Sequence, residues 1–204
     1  MRRSVLAAVG IVALGLPALG RASTWEIDSA HTSVQFAVRH LMVSTVRGTM
    51  GKVSGVAKTN DADVNKSSVE ASIDVGGIST REAKRDEHLK GADFFEVAKY
   101  PAITFKSKQI TAAGTDKFKI TGDLTIRGVT KEVVLDVEGS PKPFKDPFGN
   151  VKLGGLARTT INRQDFGVSW SKLLDSGGLA VGNDVEITID IELIQKADDA
   201  AASR

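Results

Sequence analysis

Cysteine is absent from the chain. That excludes disulfides, thiolate metal sites, a cysteine nucleophile and the lipid-modified cysteine of a lipoprotein. Histidine is scarce, with only His31, His40 and His88, and no pair has the i, i+4 spacing of a zinc helix. Aromatic residues make up 5% of the chain. No charge sign dominates: 27 Lys and Arg against 25 Asp and Glu leave +2 over 204 residues, too little for a dedicated nucleic-acid binder. No apolar run reaches the ~20 residues of a permanent transmembrane helix. Catalytic signatures are missing too. There is no Gly-x-Ser-x-Gly elbow, and neither Gly154-Gly155 nor Gly177-Gly178 leads into the lysine and helix of a phosphate loop. These absences argue against an enzyme and against a resident metal or nucleotide.

What is present begins with a leader. Arg2 and Arg3 precede an apolar run from Ser4 to Leu16, Pro17 breaks it, and the small residues Ala18, Gly20 and Ala22 follow. This three-part order is that of a secretory signal peptide, expected over residues 1–22, with cleavage after Ala22 or alternatively after Gly20. The arginine pair admits twin-arginine export, although the hydroxyl residue expected before it is missing. Loss of Met1 to Ala22 removes Arg2, Arg3 and Arg21 and no acid, so the charge of +2 becomes −1. The basic character of the precursor therefore resides largely in its leader. The expected mature protein is periplasmic, with no general attraction to nucleic acid or to an anionic membrane. With 41% hydrophobic and 25% charged residues it is globular, one domain over 23–196, with a flexible tail over 197–204; Lys196 to Arg204 reads as frayed.

Most of the mature chain has the period-two pattern of β-strands. Val185, Ile187, Ile189, Ile191 and Leu193 alternate with polar and acidic residues. Similar alternation runs through Ser33–Arg39, Ser68–Val75 and Phe118–Arg127, and Arg127-Gly128 turns the last of these into Val129–Val137. Ile103–Ile110 and Leu153–Ile161 are further candidates, and Met42–Lys58 reads as one long strand bent at its glycines. Roughly eight strands with polar outer faces suggest a closed antiparallel barrel or a sandwich.

One helix interrupts them. Ser79-Thr80-Arg81-Glu82 has the form of a capping box, predicting a helix over about 80–90 closed by Gly91. Arg81, Lys84, Arg85 and His88 would share one face of it, either an anion site or a solvated face paired with neighbouring acids. His40 is in phase with Val34, Phe36 and Val38 and would point to the apolar side at the end of its strand. His31 reads as structural, bonded to Asp28 or to a carbonyl.

A series of blocks in order resembles the YceI-like polyisoprenoid-binding family. The first is Trp25-Glu26-Ile27-Asp28-Ser29-Ala30-His31-Thr32, leading to Val38-Arg39-His40-Leu41. The most distinctive is Thr80 with Arg85-Asp86-Glu87-His88-Leu89-Lys90-Gly91-Ala92-Asp93-Phe94-Phe95, then Tyr100-Pro101. Phe105-Lys106-Ser107, Gly122 to Lys131 and Arg163 to Val168 follow. Arg81 and Glu82 depart from the polar residues usual after that threonine, and the loop before Asp184 is unusually Gly-rich. The resemblance implies an all-β, antiparallel, eight-stranded lipocalin-like barrel with a short helix near residues 80–90. It further implies non-enzymatic binding, storage or transport of a polyisoprenoid lipid, an isoprenoid quinone or an isoprenyl phosphate, in the periplasm, with no cofactor beyond that lipid. Phe36, Val38, Phe94, Phe95, Phe105, Leu124 and Phe166 are then expected to line or border the tunnel. His40, Arg85 and His88 are expected to hold the head group near one mouth. A homodimer and a membrane- or quinone-related loading partner stay open, as does the alternative of a stress-related protein that binds another amphiphile or a partner protein.

Overall fold

The computed structural model describes residues 22–140, 142–173 and 178–196. Apart from Ala22, the expected leader lies outside the described residues, as does the tail over 197–204.

The described residues form eleven strands and one α-helix. The strands are β1 (Ala22–Ile27), β2 (Ser33–His40), β3 (Ser44–Thr49), β4 (Val53–Asn60), β5 (Ser68–Asp74), β6 (Ala102–Gly114), β7 (Lys117–Ile126), β8 (Val129–Glu138), the two-residue β9 (Phe144–Lys145), β10 (Val151–Asn162) and β11 (Val181–Gln195). The helix α1 is Ala83–Lys90. Eight strands make a ring, β11-β1-β4-β5-β6-β7-β8-β10, and the antiparallel pairing of β10 with β11 closes it. On its other edge β11 pairs first with β2, along Val181 to Asp190, and then with β1, at Leu193 to Gln195. The hairpin β2–β3 thus continues the wall beyond β1. This is the closed antiparallel barrel that the alternating strands allow.

The segment 42–58 is two strands, not one. At the bend Met50 N donates to Val34 O, while Gly51 N donates to Asp74 O at 3.0 Å. A Cβ on Gly51 would stand 2.6 Å from that same carbonyl, so the close crossing requires glycine. β1 escapes the periodicity because only Trp25 and Ile27 carry it, yet Trp25 is among the most buried side chains. Lys196 is not frayed: its N–H donates to Thr24 O and its ammonium pairs with Glu26.

The helix starts three residues later than the capping-box reading placed it. Ser79 exchanges both backbone hydrogen bonds with Thr49, so it belongs to the wall and cannot cap. Glu82 caps instead, accepting from Lys84 N at 3.2 Å and Arg85 N at 2.6 Å. Gly91 ends the helix as expected. The β7–β8 turn has both Arg127 and Gly128 at positive φ, +49° and +75°, as a two-residue hairpin loop requires.

The two ends of the barrel are built differently. At one end a short 3₁₀ turn, Val64–Lys66, joins β4 to β5; at the other, α1 and the segment after it join β5 to β6. The helix end is tied by Arg163, 5% exposed. Its guanidinium donates to the carbonyls of Gly182, Val168, Trp170 and Val181 at 2.6–3.2 Å, and Asn183 Oδ1 lies 3.4 Å away. Burial without a carboxylate pushes its pKa below the ordinary value. Arg127 adds a second tie, donating to Gly167 O and Ala92 O. At the opposite end the buried Lys152 ammonium is shared by Glu192, Asp28 at 3.4 Å and Asp146 at 3.8 Å. Asp28 also accepts from His31 at 2.8 Å, in line with the structural reading of His31.

These ties have pH signatures. The bond from His31, chiefly, holds Asp28 below the usual carboxylate range, as Asn150, chiefly, does Asp146. Glu192, chiefly, raises Lys152. Depressed acids stabilise the fold above their unfolded pKa and lose that contribution as pH falls through the folded one. The melting temperature should therefore decline as pH is lowered through and below ~4, the ordinary carboxylate range, and Asp28→Asn should flatten the decline in a calorimetric pH series. Arg163→Met strands several buried carbonyls and should cost about 3 kcal/mol in urea unfolding.

Candidate functional site

The inward faces of the strands do not meet. They enclose a cavity of about 530 Å³, inside the ~300–1,000 Å³ range of small-ligand sites. Its wall follows the alternation read from the sequence. Val185, Ile187, Ile189, Ile191 and Leu193 of β11 all face it, as do Phe118, Ile120, Leu124 and Ile126 of β7. The seven side chains expected at the tunnel, Phe36, Val38, Phe94, Phe95, Phe105, Leu124 and Phe166, all line the cavity. Trp25 lines it too and went unforeseen, because β1 is too short to show a period; its indole N–H donates to Thr59 Oγ1 at 3.0 Å.

Among the described residues the cavity opens at one end. Its exposed lining residues are Lys58, Asp61, Ala62, Ser140, Pro143 and Gly154, all at the end where β4 turns into β5. Thr59, Asn60, Ser67 and Ser68 add hydroxyl and amide groups to this rim. At the helix end every lining residue is buried or half-buried, and Phe94 and Phe166 are 6% and 2% exposed. A polar turn such as Thr59-Asn60-Asp61 carries no mark that sets it apart from other loops, so the mouth was not legible in the sequence.

His40, Arg85 and His88 do not line the cavity. The mouth they were expected to share is at the other end of the barrel. The reason lies in their partners. Arg85 donates from Nε to Thr80 Oγ1 at 2.7 Å and from its terminal nitrogen to Thr80 O at 2.9 Å. Thr80 is buried, and its N–H donates to Asp86 Oδ1 at 2.7 Å. The bonds from Thr80, chiefly, hold Asp86 below its ordinary range. His88 lies 2.8 Å from Asp93 and edge-on to Phe94 and Trp170, with ring centroids 5.0 and 5.1 Å away. His40 stands exposed at the end of β2, where the inward phase of the strand has run out. Arg81 precedes α1 at positive φ and so leaves the shared basic face. The helix and its charges are thus engaged in sealing the barrel.

Chemically the lining is poor in ionisable groups. Among the described residues it carries only Lys58 and Asp61 at the rim and Arg163 at the closed end. One grouping outside it has metal-ligand geometry, Asp28, His31 and Glu192, with ligand atoms within 4.8 Å of one another. The ammonium of Lys152 already engages the same two carboxylates, so the cluster serves as an ionic tie of the fold. No helix of the described residues is long and apolar enough to cross a membrane.

Known proteins share this architecture. The crystal structure of Burkholderia cenocepacia BcnA superposes with a TM-score of 0.68 at 25% identity, covering 81% of this chain and 98% of that one. The Campylobacter jejuni YceI protein gives 0.65 at 32% identity, covering 78% and 90%. A polyisoprenoid binding domain from Saccharophagus degradans gives 0.60 at 13% identity, covering 86% and 100%, and shows the shared fold. Among sequences, UPF0312 protein SA2479 of Staphylococcus aureus strain N315 is 33% identical over 170 residues, 83% of this chain and 96% of that protein. The YceI-like domain matches residues 25–193, from Trp25 in β1 to Leu193 in β11, and the chain belongs to the YceI-like family.

Proposed function

We propose that the protein is a non-enzymatic carrier or store for one long-chain isoprenoid lipid, a quinone or an isoprenyl phosphate, in the periplasm. The observation that carries this reading is the shape and chemistry of the cavity: apolar along most of its length, closed at the helix end, with most of its polar groups at the mouth. Such a cavity takes an amphiphile with its chain inward and its head group at the rim. Family membership and the shared fold of the Saccharophagus domain, named for polyisoprenoid binding, agree with it. The leader supports the compartment.

The energetics favour chain over head group. Burying one five-carbon isoprene unit contributes roughly 4 kcal/mol gross, at ~0.8 per carbon. Association and ordering offset much of that, but a few units suffice for the about −8 kcal/mol of micromolar binding. The scarcity of ionisable lining groups supports a binding rather than a catalytic role, since general acid–base chemistry needs a positioned couple at the reacting atoms.

Affinity for isoprenoid alcohols, measured by Trp25 fluorescence, should rise with each added unit and level off once the cavity is full. Levelling at the first unit would contradict the carrier reading. Ala57 is 5% exposed and lines the cavity wall. Ala57→Phe should weaken the longest bound alcohol at least about ten-fold, or ~1.4 kcal/mol, while short alcohols bind as before.

A further inference from the structure

Two phenylalanines stand in water beside the mouth. Phe148 is 89% exposed and Phe144 54% exposed. Both belong to the hairpin 142–150, whose Pro143 lines the cavity rim and whose β9 pairs with the start of β10. The hairpin is held in one shape. Asp146 accepts from Phe148 N at 2.9 Å, Asn150 N at 2.8 Å and Asn150 Nδ2 at 2.9 Å, while its own N–H donates to Asn150 O. Gly149, at φ +91°, closes the turn. A preformed turn that presents a whole aromatic ring to solvent gains nothing from folding; it implies a surface that the ring meets.

The charges say which surface. Lys142 and Lys145 flank Phe144, with Phe148 three residues further on; both lysines are exposed and have no carboxylate partner within ion-pair distance among the described residues. The hairpin's acid, Asp146, is turned inward towards Lys152, which leaves Asp61 as the exposed acid of the rim. Exposed aromatic rings beside lysines suit the interface of a bilayer bearing anionic phospholipid, where rings enter the acyl boundary and ammonium groups stay among the head groups. A second copy in the same pose would oppose lysine to lysine. We propose that the 142–150 hairpin docks the mouth of the barrel on an anionic bilayer surface, so that lipid passes between membrane and cavity without crossing water. Its role in lipid passage rests on the carrier reading; the docking does not.

The test uses vesicles of phosphatidylcholine with and without phosphatidylglycerol. The protein should float with the anionic vesicles, less with neutral ones, and less at high salt. Phe144→Ser with Phe148→Ser should lower the bound fraction about ten-fold. Met42→Ser with Val43→Ser, which removes exposed apolar surface at the opposite end, should leave it unchanged. The proposal is overturned if the wild type stays in solution with both vesicles, if the double phenylalanine variant floats like the wild type, or if the far-end variant loses as much. It is also overturned if gel filtration shows a dimer that the phenylalanine variant dissolves while vesicles go unbound. Farnesol added from solution should bind all three proteins equally. Failure of all three to bind it would count against the carrier reading and leave the docking result standing.

Discussion

The pairing of β10 with β11 is the contact on which the rest of the molecule depends. It joins the last strand of the described residues to the far side of the sheet along a register from Lys152–Ile194 to Asn162–Asp184, and so closes eight strands into a ring, leaving β3 and the two-residue β9 at the edges. Once the wall is closed, the alternation of each strand acquires a fixed meaning: one face towards water, the other towards a space of limited width. Eight strands give a diameter at which side chains alone need not fill the interior. The cavity is therefore a consequence of strand number and closure, and its apolar character a consequence of period-two patterning.

Closure leaves two ends, and each is held by a buried cation with different company. Arg163 is surrounded by main-chain carbonyls, whose dipoles satisfy its N–H groups without adding charge. Lys152 is surrounded by carboxylates that bring together the turn after β1, the hairpin around Asp146 and the end of β11. The first arrangement is insensitive to the protonation of acids, the second depends on it. Removing Arg163 leaves main-chain carbonyls desolvated and unpaired, and removing Lys152 leaves carboxylates clustered without their cation, which is the expensive direction in which to break such a site.

The wall was legible in the sequence and the ends were not, for a physical reason. Strands such as 184–193 carry five inward apolar residues at period two, and that signal survives without tertiary context. Of the seven expected tunnel residues, Phe36, Val38, Phe105 and Leu124 fall on such strands, Phe94 and Phe95 on the aromatic segment after the helix and Phe166 in the turn after β10, and all line the cavity. Ser79 looks like a helix cap in isolation, but its backbone is already bonded to Thr49 across the wall, a contact thirty residues away that no local pattern records. Arg85 and His88 look like free cations on a helix face. Their real partners, Thr80 and Asp93, are close in sequence, yet nothing in the sequence says that those partners take precedence over a ligand. β1 was missed for want of length, although it contributes Trp25 to both core and cavity.

The asymmetry of the ends constrains how a carrier of this shape can work. If the isoprenoid chain supplies most of the affinity, then escape into water forfeits that affinity in full, several kcal/mol for each unit re-exposed. Such a ligand leaves slowly unless it passes directly into another apolar phase. Among the described residues the helix end offers no route, since Phe94, Phe166 and Arg163 close it with packed rings and satisfied hydrogen bonds. Exchange must take place at the rim, where the lining turns polar and the backbone turns outward. A rigid hairpin bearing exposed aromatic rings at that rim, and not at a random point of the surface, places the apolar phase where the cavity opens. Tight holding by the barrel and fast exchange at its mouth are then compatible, because the barrier that retains the lipid in water is the one that contact with a membrane removes.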